Sequence, residues 1–206
     1  MTRVVAAFDF DGTLTKRDTV VPFLTRVVGR PGLALGQARA VHRLAAAVTR
    51  RDRDRLRSIA TDIVFAGRPL ADIEAHAAAH AEFVLAEWIR PDTLTRLEWH
   101  QQQGHTTVVV SASYEQYVRP VADRLGVDGV VATRLEIGVD GSCTGRLDGP
   151  NCRGAEKVRR LTDWLESDGL GLGEVTLWAY GDSSGDRELL AAAQHPHLVD
   201  GPLGNV

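Results

Sequence analysis

Cysteine is nearly absent from this chain: two residues in 206, Cys143 and Cys152. They have no metal-ligand spacing, and no histidine cluster accompanies them, so a zinc ribbon or a disulfide framework is excluded. Both are read as reduced thiols of a cytoplasmic protein. Long hydrophobic runs are missing too. No apolar stretch approaches bilayer length. The N-terminal apolar segment is short and broken by Asp9 and Asp11, unlike a signal peptide. Basic excess is also lacking. The formal net charge of −3 argues against a general nucleic-acid binder. Internal repeats and low-complexity linkers are not seen. What remains is an ordinary globular composition, 44% hydrophobic and 25% charged, long enough for one core plus a substantial insertion.

The first positive signal is Val4-Val5-Ala6-Ala7-Phe8-Asp9-Phe10-Asp11-Gly12-Thr13. A strand-forming run ends in two carboxylates at i and i+2, which period-two alternation points the same way. Gly12 follows, where backbone can approach a ligand closely. Two acids at the end of a buried strand are costly unless a cation or a reaction uses them. The bland reading is a strand end with an Asp-Gly turn. Three further segments weigh against it. Val175 to Tyr180 is a second apolar run, ending in Gly181-Asp182-Ser183-Ser184-Gly185-Asp186. Thr106 to Val110 ends in Ser111-Ala112-Ser113, where a helix over Tyr114–Leu125 is expected to begin; the serines read as N-caps or as an anion site. Lys157 lies at the start of a helix predicted over 154–167, where a solvated lysine is the common case. Together these segments supply carboxylates for a hard metal ion, a hydroxyl and amides for phosphate oxygens, and a cation. Those are the parts of a phosphoryl-transfer site.

From Asp18 to about Glu98 strand signals vanish, and helical periodicity predicts about four helices. Afterwards strands and helices alternate, which argues for a doubly wound, mostly parallel sheet. Thr133–Val139 and Ser142–Leu147 flank Asp140-Gly141, a hairpin signal. The expected architecture is an α/β core of residues 1–17 and 100–206, with a helical cap of 18–99 inserted after the first strand. Between Arg39 and Arg57 the chain holds seven arginines against Asp52 and Asp54. That stretch reads as a solvated helix face, an anionic-substrate funnel or a peripheral contact with lipid headgroups. Leu33, Leu35, Leu44 and Val48 are expected to pack within the cap.

The four segments resemble, in order and spacing, the motifs of the haloacid dehalogenase superfamily, in its phosphoserine-phosphatase-like subgroup (branch IB). Asp9-Phe10-Asp11-Gly12-Thr13 matches the first motif, Ser111 the second, Lys157 the third, and Gly181 to Asp186 the fourth. The resemblance implies a Mg²⁺-dependent phosphatase acting through an aspartyl-phosphate. Asp9 would be the nucleophile and Asp11 the general acid and base. The metal would lie among Asp9, Asp182, Asp186 and the main-chain carbonyl of Asp11. Gly12, Ser111, Ala112 and Lys157 would bind the phosphate. The chain departs from phosphoserine phosphatases at three places. Gly185 stands where an Asn is usual, Ser111-Ala112-Ser113 where Ser-Gly-Gly is, and Asp18 where a Glu holds the substrate amine. A small phosphorylated metabolite is the expected substrate. A phospholipid headgroup phosphate (as for phosphatidylglycerophosphatases), phosphoserine and a phosphomutase reaction are alternatives, and a phospho-accepting signalling module is the non-enzymatic one.

Overall fold

The computed structural model describes residues 2–203. Five parallel strands form the main sheet: β1 (Arg3–Phe8), β2 (Thr106–Tyr114), β3 (Gly129–Thr133), β6 (Val175–Gly181) and β7 (His195–Leu198), in the order β3-β2-β1-β6-β7. The antiparallel pair β4 (Leu135–Ile137) and β5 (Cys143–Leu147) forms the expected hairpin. Alternation sorts the sheet's side chains. Val5, Ala7, Val110 and Leu177 bury one face with Leu161 and Leu165 of α7 (Ala155–Ser167) and Leu189 of α8 (Arg187–Ala192). Ala6, Phe8, Val109 and Tyr180 bury the other with Tyr117 and Val121 of α6 (Glu115–Arg124). Both faces are covered, as a parallel sheet requires. The chain builds outward from β1 through β2 and β3, then returns to add β6 and β7 on the opposite side. The strand order therefore reverses at β1, and the ligand crevice of such a sheet opens there, at the strands' carboxyl ends.

Between β1 and β2 the chain forms α1 (Val20–Arg39), kinked at Gly29, then α2 (Val41–Thr49), α3 (Arg53–Phe65) and α4 (Leu70–Glu87). A fifth helix, α5 (Pro91–Gln102), packs on β2. Leu33 and Leu44 pack as expected, but Leu35 and Val48 are more than half exposed, because they point away from the seam between α1, α2 and α3. The second strand also runs past its expected end. Its pairing with β3 shifts register between Ser111 and Tyr114, so Ala112 and Ser113 bulge while Tyr114 rejoins the ladder and is fully buried. Helix α6 accordingly starts at Glu115.

Two histidines, His80 of α4 and His100 of α5, are buried. His80 donates from Nε2 to the Thr19 carbonyl at 3.1 Å. His100 reaches the Tyr180 hydroxyl with Nε2 and meets Nδ1 of His105 at 2.8 Å, so a single proton lies between those two rings. Burial pushes His80 down to about 4, and burial with His105 nearby pushes His100 down to about 3. Below the unfolded value of about 6.5, the unfolded chain takes up protons that the folded one refuses. The histidine contribution is thus complete above pH 6.5 and is lost as the pH falls toward 4. Thermal melts across that window should show the decline, and His80→Gln or His100→Gln should flatten it; an unchanged slope in both variants would contradict the assignment.

Candidate active site

Lys157 organises the crevice. It is 2% exposed, and its Nζ donates to Asp9 Oδ1 at 2.6 Å and to Asp186 Oδ1 at 2.5 Å. It reaches this depth because α7 begins directly after Gly154, whose amide is tied to the Gly185 carbonyl at 2.9 Å. Burial alone disfavours the ammonium, but the two carboxylates reverse this, and its pKa is raised. Asp9 is raised to about 7. Desolvation and the Asp186 charge outweigh the pull of Lys157 on it.

Asp182 stands at the tip of β6, opens to solvent, and completes a trio. One carboxylate oxygen each from Asp9, Asp182 and Asp186 lies within 4.8 Å of the others. Two missing side chains make this trio possible. A Cβ on Gly12 (φ +80°) would strike the Asp182 carboxylate, and one on Gly181 would lie 2.5 Å from the Asp186 Cβ. Asp186 is fully engaged. Its other oxygen accepts from the Ser183 amide at 3.0 Å and hydroxyl at 2.8 Å.

Asp11 is elsewhere. The sequence pattern points it alongside Asp9, but β1 ends at Phe8, and the chain then enters a wide turn closed by Thr15 N to Phe10 O at 2.9 Å. Strand alternation no longer applies, and the two carboxylates take different partners. Asp11 Oδ1 accepts from the Thr19 amide at 2.7 Å and hydroxyl at 2.6 Å, and Oδ2 accepts from the Ser113 hydroxyl. Tyr117 in turn meets Thr19 Oγ1 at 2.9 Å. Burial and the Asp18 charge raise Asp11 to about 6, against the three donors that lower it.

The cavity over these groups is about 420 Å³, in the range of small-molecule sites. It brings together every residue singled out from the sequence: Asp9, Asp11, Gly12, Asp18, Ser111, Ala112, Lys157, Asp182 and Asp186. Ser111 is buried and accepts from the Ser113 amide at 3.0 Å, so it caps the bulge rather than a helix. Asp18 Oδ1 receives the Val20 amide at 3.0 Å and so caps α1 while lining the cavity. Sequence reasoning did not single out Ser113 and Thr19 as Asp11's partners, nor Arg153 and Asn151 on the wall. Arg53 and Arg57 were seen only as part of a basic stretch. Ser113 was adjacent to the Ser111 motif and could have been found there; the others meet the site only through tertiary packing.

Residues 6–191 match the model of haloacid dehalogenase-like hydrolases. The chain belongs to this family. It is 40% identical over 191 residues to Protein CicA of Caulobacter vibrioides, covering 92% of this chain and 83% of that one. It is 31% identical over 128 residues to a histidinol-phosphatase of Neisseria meningitidis, covering 62% of this chain and 57% of the other. A Bordetella pertussis protein of unknown function superposes with TM-score 0.73 at 27% identity, over 93% and 87% of the two chains. A phosphoserine phosphatase holding a phospho-aspartyl intermediate analogue shares the fold, with TM-score 0.63 at 18% identity over 94% and 84%. The chain is thus a hydrolase of the phosphatase kind.

Removing the ammonium leaves two buried carboxylates facing each other without compensation, a loss of about 3–5 kcal/mol when one partner of a buried pair is deleted. Lys157→Ala should melt well below the parent in chelator and lose at least about a hundredfold in kcat/KM. Parental values for both would remove Lys157 from the site's centre.

Proposed function

We propose that the protein is a Mg²⁺-dependent phosphomonoester hydrolase that acts on a small phosphorylated metabolite through an aspartyl-phosphate at Asp9. The observation that carries this reading is the contrast between two nearby carboxylates. Asp9 sits in the trio with Asp182 and Asp186, and Asp11 is held apart by Thr19 and Ser113 with a pKa of about 6.

The donor set fits a hard divalent cation. Three carboxylates stand beside one buried ammonium that pairs with two of them, and an all-oxygen set suits Mg²⁺. Asp9, Asp182 and the Asp11 carbonyl are the residues we assign to hold it. Asp186, with both oxygens already engaged, would act mainly by orienting Lys157 and Ser183. When bound, the cation supplies positive charge beside Asp9 and the transferring phosphoryl oxygens.

Lys157 holds Asp9 Oδ1. The second oxygen of Asp9 attacks phosphorus, and the bond from phosphorus to the leaving oxygen breaks. Asp11, protonated at that moment, gives its proton to the leaving oxygen. As a carboxylate it then takes a proton from water, which attacks the aspartyl-phosphate and releases phosphate. The Ser111 hydroxyl, the amides near Gly12 and Ala112, and Lys157 bind the equatorial oxygens. Helices of the stretch 18–99, which we read as a specificity unit inserted in the core of 1–17 and 100–206, meet the same cavity through Arg53 and Arg57 of α3.

Hydrolysis of p-nitrophenyl phosphate should require Mg²⁺ and stop with EDTA; full turnover after exhaustive chelation would refute the metal assignment. Asp9→Asn should abolish turnover. A phosphate-release panel including phosphoserine and histidinol phosphate identifies the leaving group, and product analysis separates hydrolysis from mutase chemistry.

Asp11 must carry a proton for the first step, and its raised pKa retains that proton to higher pH. The rate of leaving-group departure should therefore fall as the pH rises through about 6. Asp11→Asn should lose about a hundredfold or more and lose that alkaline limb with it. A limb that survives in Asp11→Asn would assign it to another group.

A further inference from the structure

We infer that Arg53 and Arg153 form an anion clasp at the mouth of the catalytic cavity, and that the substrate carries a second anionic group, a phosphate or a carboxylate, on its leaving-group side. This rests on the phosphomonoesterase reading above.

Several surface arginines of this protein are matched to acids, such as Arg43 to Asp62, Arg124 to Glu82, Arg134 to Asp148 and Arg146 to Glu136. Arg53 and Arg153 are not. Among the described residues neither forms an ion pair, and the hydrogen bond of Arg153 goes to the neutral Ser184 hydroxyl at 3.0 Å. Both line the cavity that contains Asp9 and Lys157. Arg57 and Arg17 line it too, but their guanidinium groups lie over the rings of Tyr114 and Trp88.

One bond brings the two unmatched arginines to the same side. Asn151 Nδ2 donates to Asp54 Oδ1 at 2.7 Å, joining the start of α3 to the loop before α7. Asn151 is itself anchored, accepting from the Thr133 hydroxyl at 2.9 Å. Arg53 directly precedes Asp54, and Arg153 follows Asn151 by two positions. Arg153 has a prepared seat. A Cβ at residue 185 would approach its Nε to 3.2 Å and its Cγ to 3.3 Å, so bare Gly185 lets the side chain lie across the loop. Arg53 occupies the first residue of α3, where the helix dipole disfavours a cation. Two unpaired planar forks suit a carboxylate or phosphate, which each can bind through paired hydrogen bonds. The reacting phosphoryl group belongs with Lys157 on the buried floor, so the clasp falls to the rest of the substrate.

The test compares kcat/KM for p-nitrophenyl phosphate, 3-phosphoglycerate, fructose 1,6-bisphosphate and histidinol phosphate in the full-length protein with Mg²⁺. Arg53→Gln and Arg153→Gln should each lower kcat/KM for the phosphoglycerate or the bisphosphate at least about tenfold more than for p-nitrophenyl phosphate, chiefly through KM. Which of the two responds more tells carboxylate from phosphate. Arg153→Glu should shift preference toward the amine of histidinol phosphate. Melting temperatures should stay near the parent's, and Arg53→Gln should not melt lower. If the parent hydrolyses p-nitrophenyl phosphate and these ratios do not move, the clasp alone falls. Turnover of none of the four substrates would refute the phosphatase reading, and the clasp with it.

Discussion

The site depends on one buried ammonium. Lys157 is the cation that lets Asp9 and Asp186 approach each other away from water. Like charges at that range repel strongly in a low-dielectric interior, so without a cation at least one carboxylate would protonate or swing out. Much of the surrounding backbone serves this arrangement. The Gly154–Gly185 hydrogen bond brings the loop before α7 against the loop after β6, and Gly181 yields the space that Asp186 fills. Asp182, at the open edge, leaves the trio with more negative than positive charge. That imbalance is what a divalent cation and a phosphate ester between them would neutralise.

Asp9 and Asp11 show how one short turn separates two chemistries. Asp9 faces an ammonium and two acids; Asp11 faces two hydroxyls and an amide. Both lose hydration on burial, which raises both, yet their partners differ in kind. In the proposed mechanism the carboxylate held against an ammonium attacks, whereas the one held by neutral donors exchanges a proton near neutrality. The link through Thr19 to Tyr117 fixes the Asp11 side chain from behind.

The inserted helices are not loosely appended. Thr61 of α3 meets the Tyr114 hydroxyl at 2.9 Å, and Arg57 lies over the same ring. Asp54 and Asn151 close a second tie at the cavity's rim. Gly145 allows the hairpin to press against Ala66 at the end of α3, where a Cβ would come within 2.8 Å. The rim of the cavity is thereby shared between α3 and the loop before α7, which are distant in sequence.

Local chemistry made much of this legible in the chain itself. Apolar runs of strand period ending in Asp9, Ser111 and Asp182 placed three strand tips at one crevice, because a parallel sheet aligns its carboxyl ends. The helical stretch after Asp18 and the Asp140-Gly141 hairpin followed from periodicity and turn chemistry. Alternation did not give the partners of Asp11, since it holds only while the chain is extended, and β1 stops at Phe8. The end of β2 was misplaced because a bulge can carry a strand past residues that read as caps. Tertiary structure alone decided that Lys157 is buried rather than solvated, that Ser113 and Thr19 hold the Asp11 side chain, and that two arginines about a hundred positions apart in the chain share one rim. Each of these depends on which distant group lies across the cavity, and charge balance in a buried cleft is a property of that company rather than of any one segment.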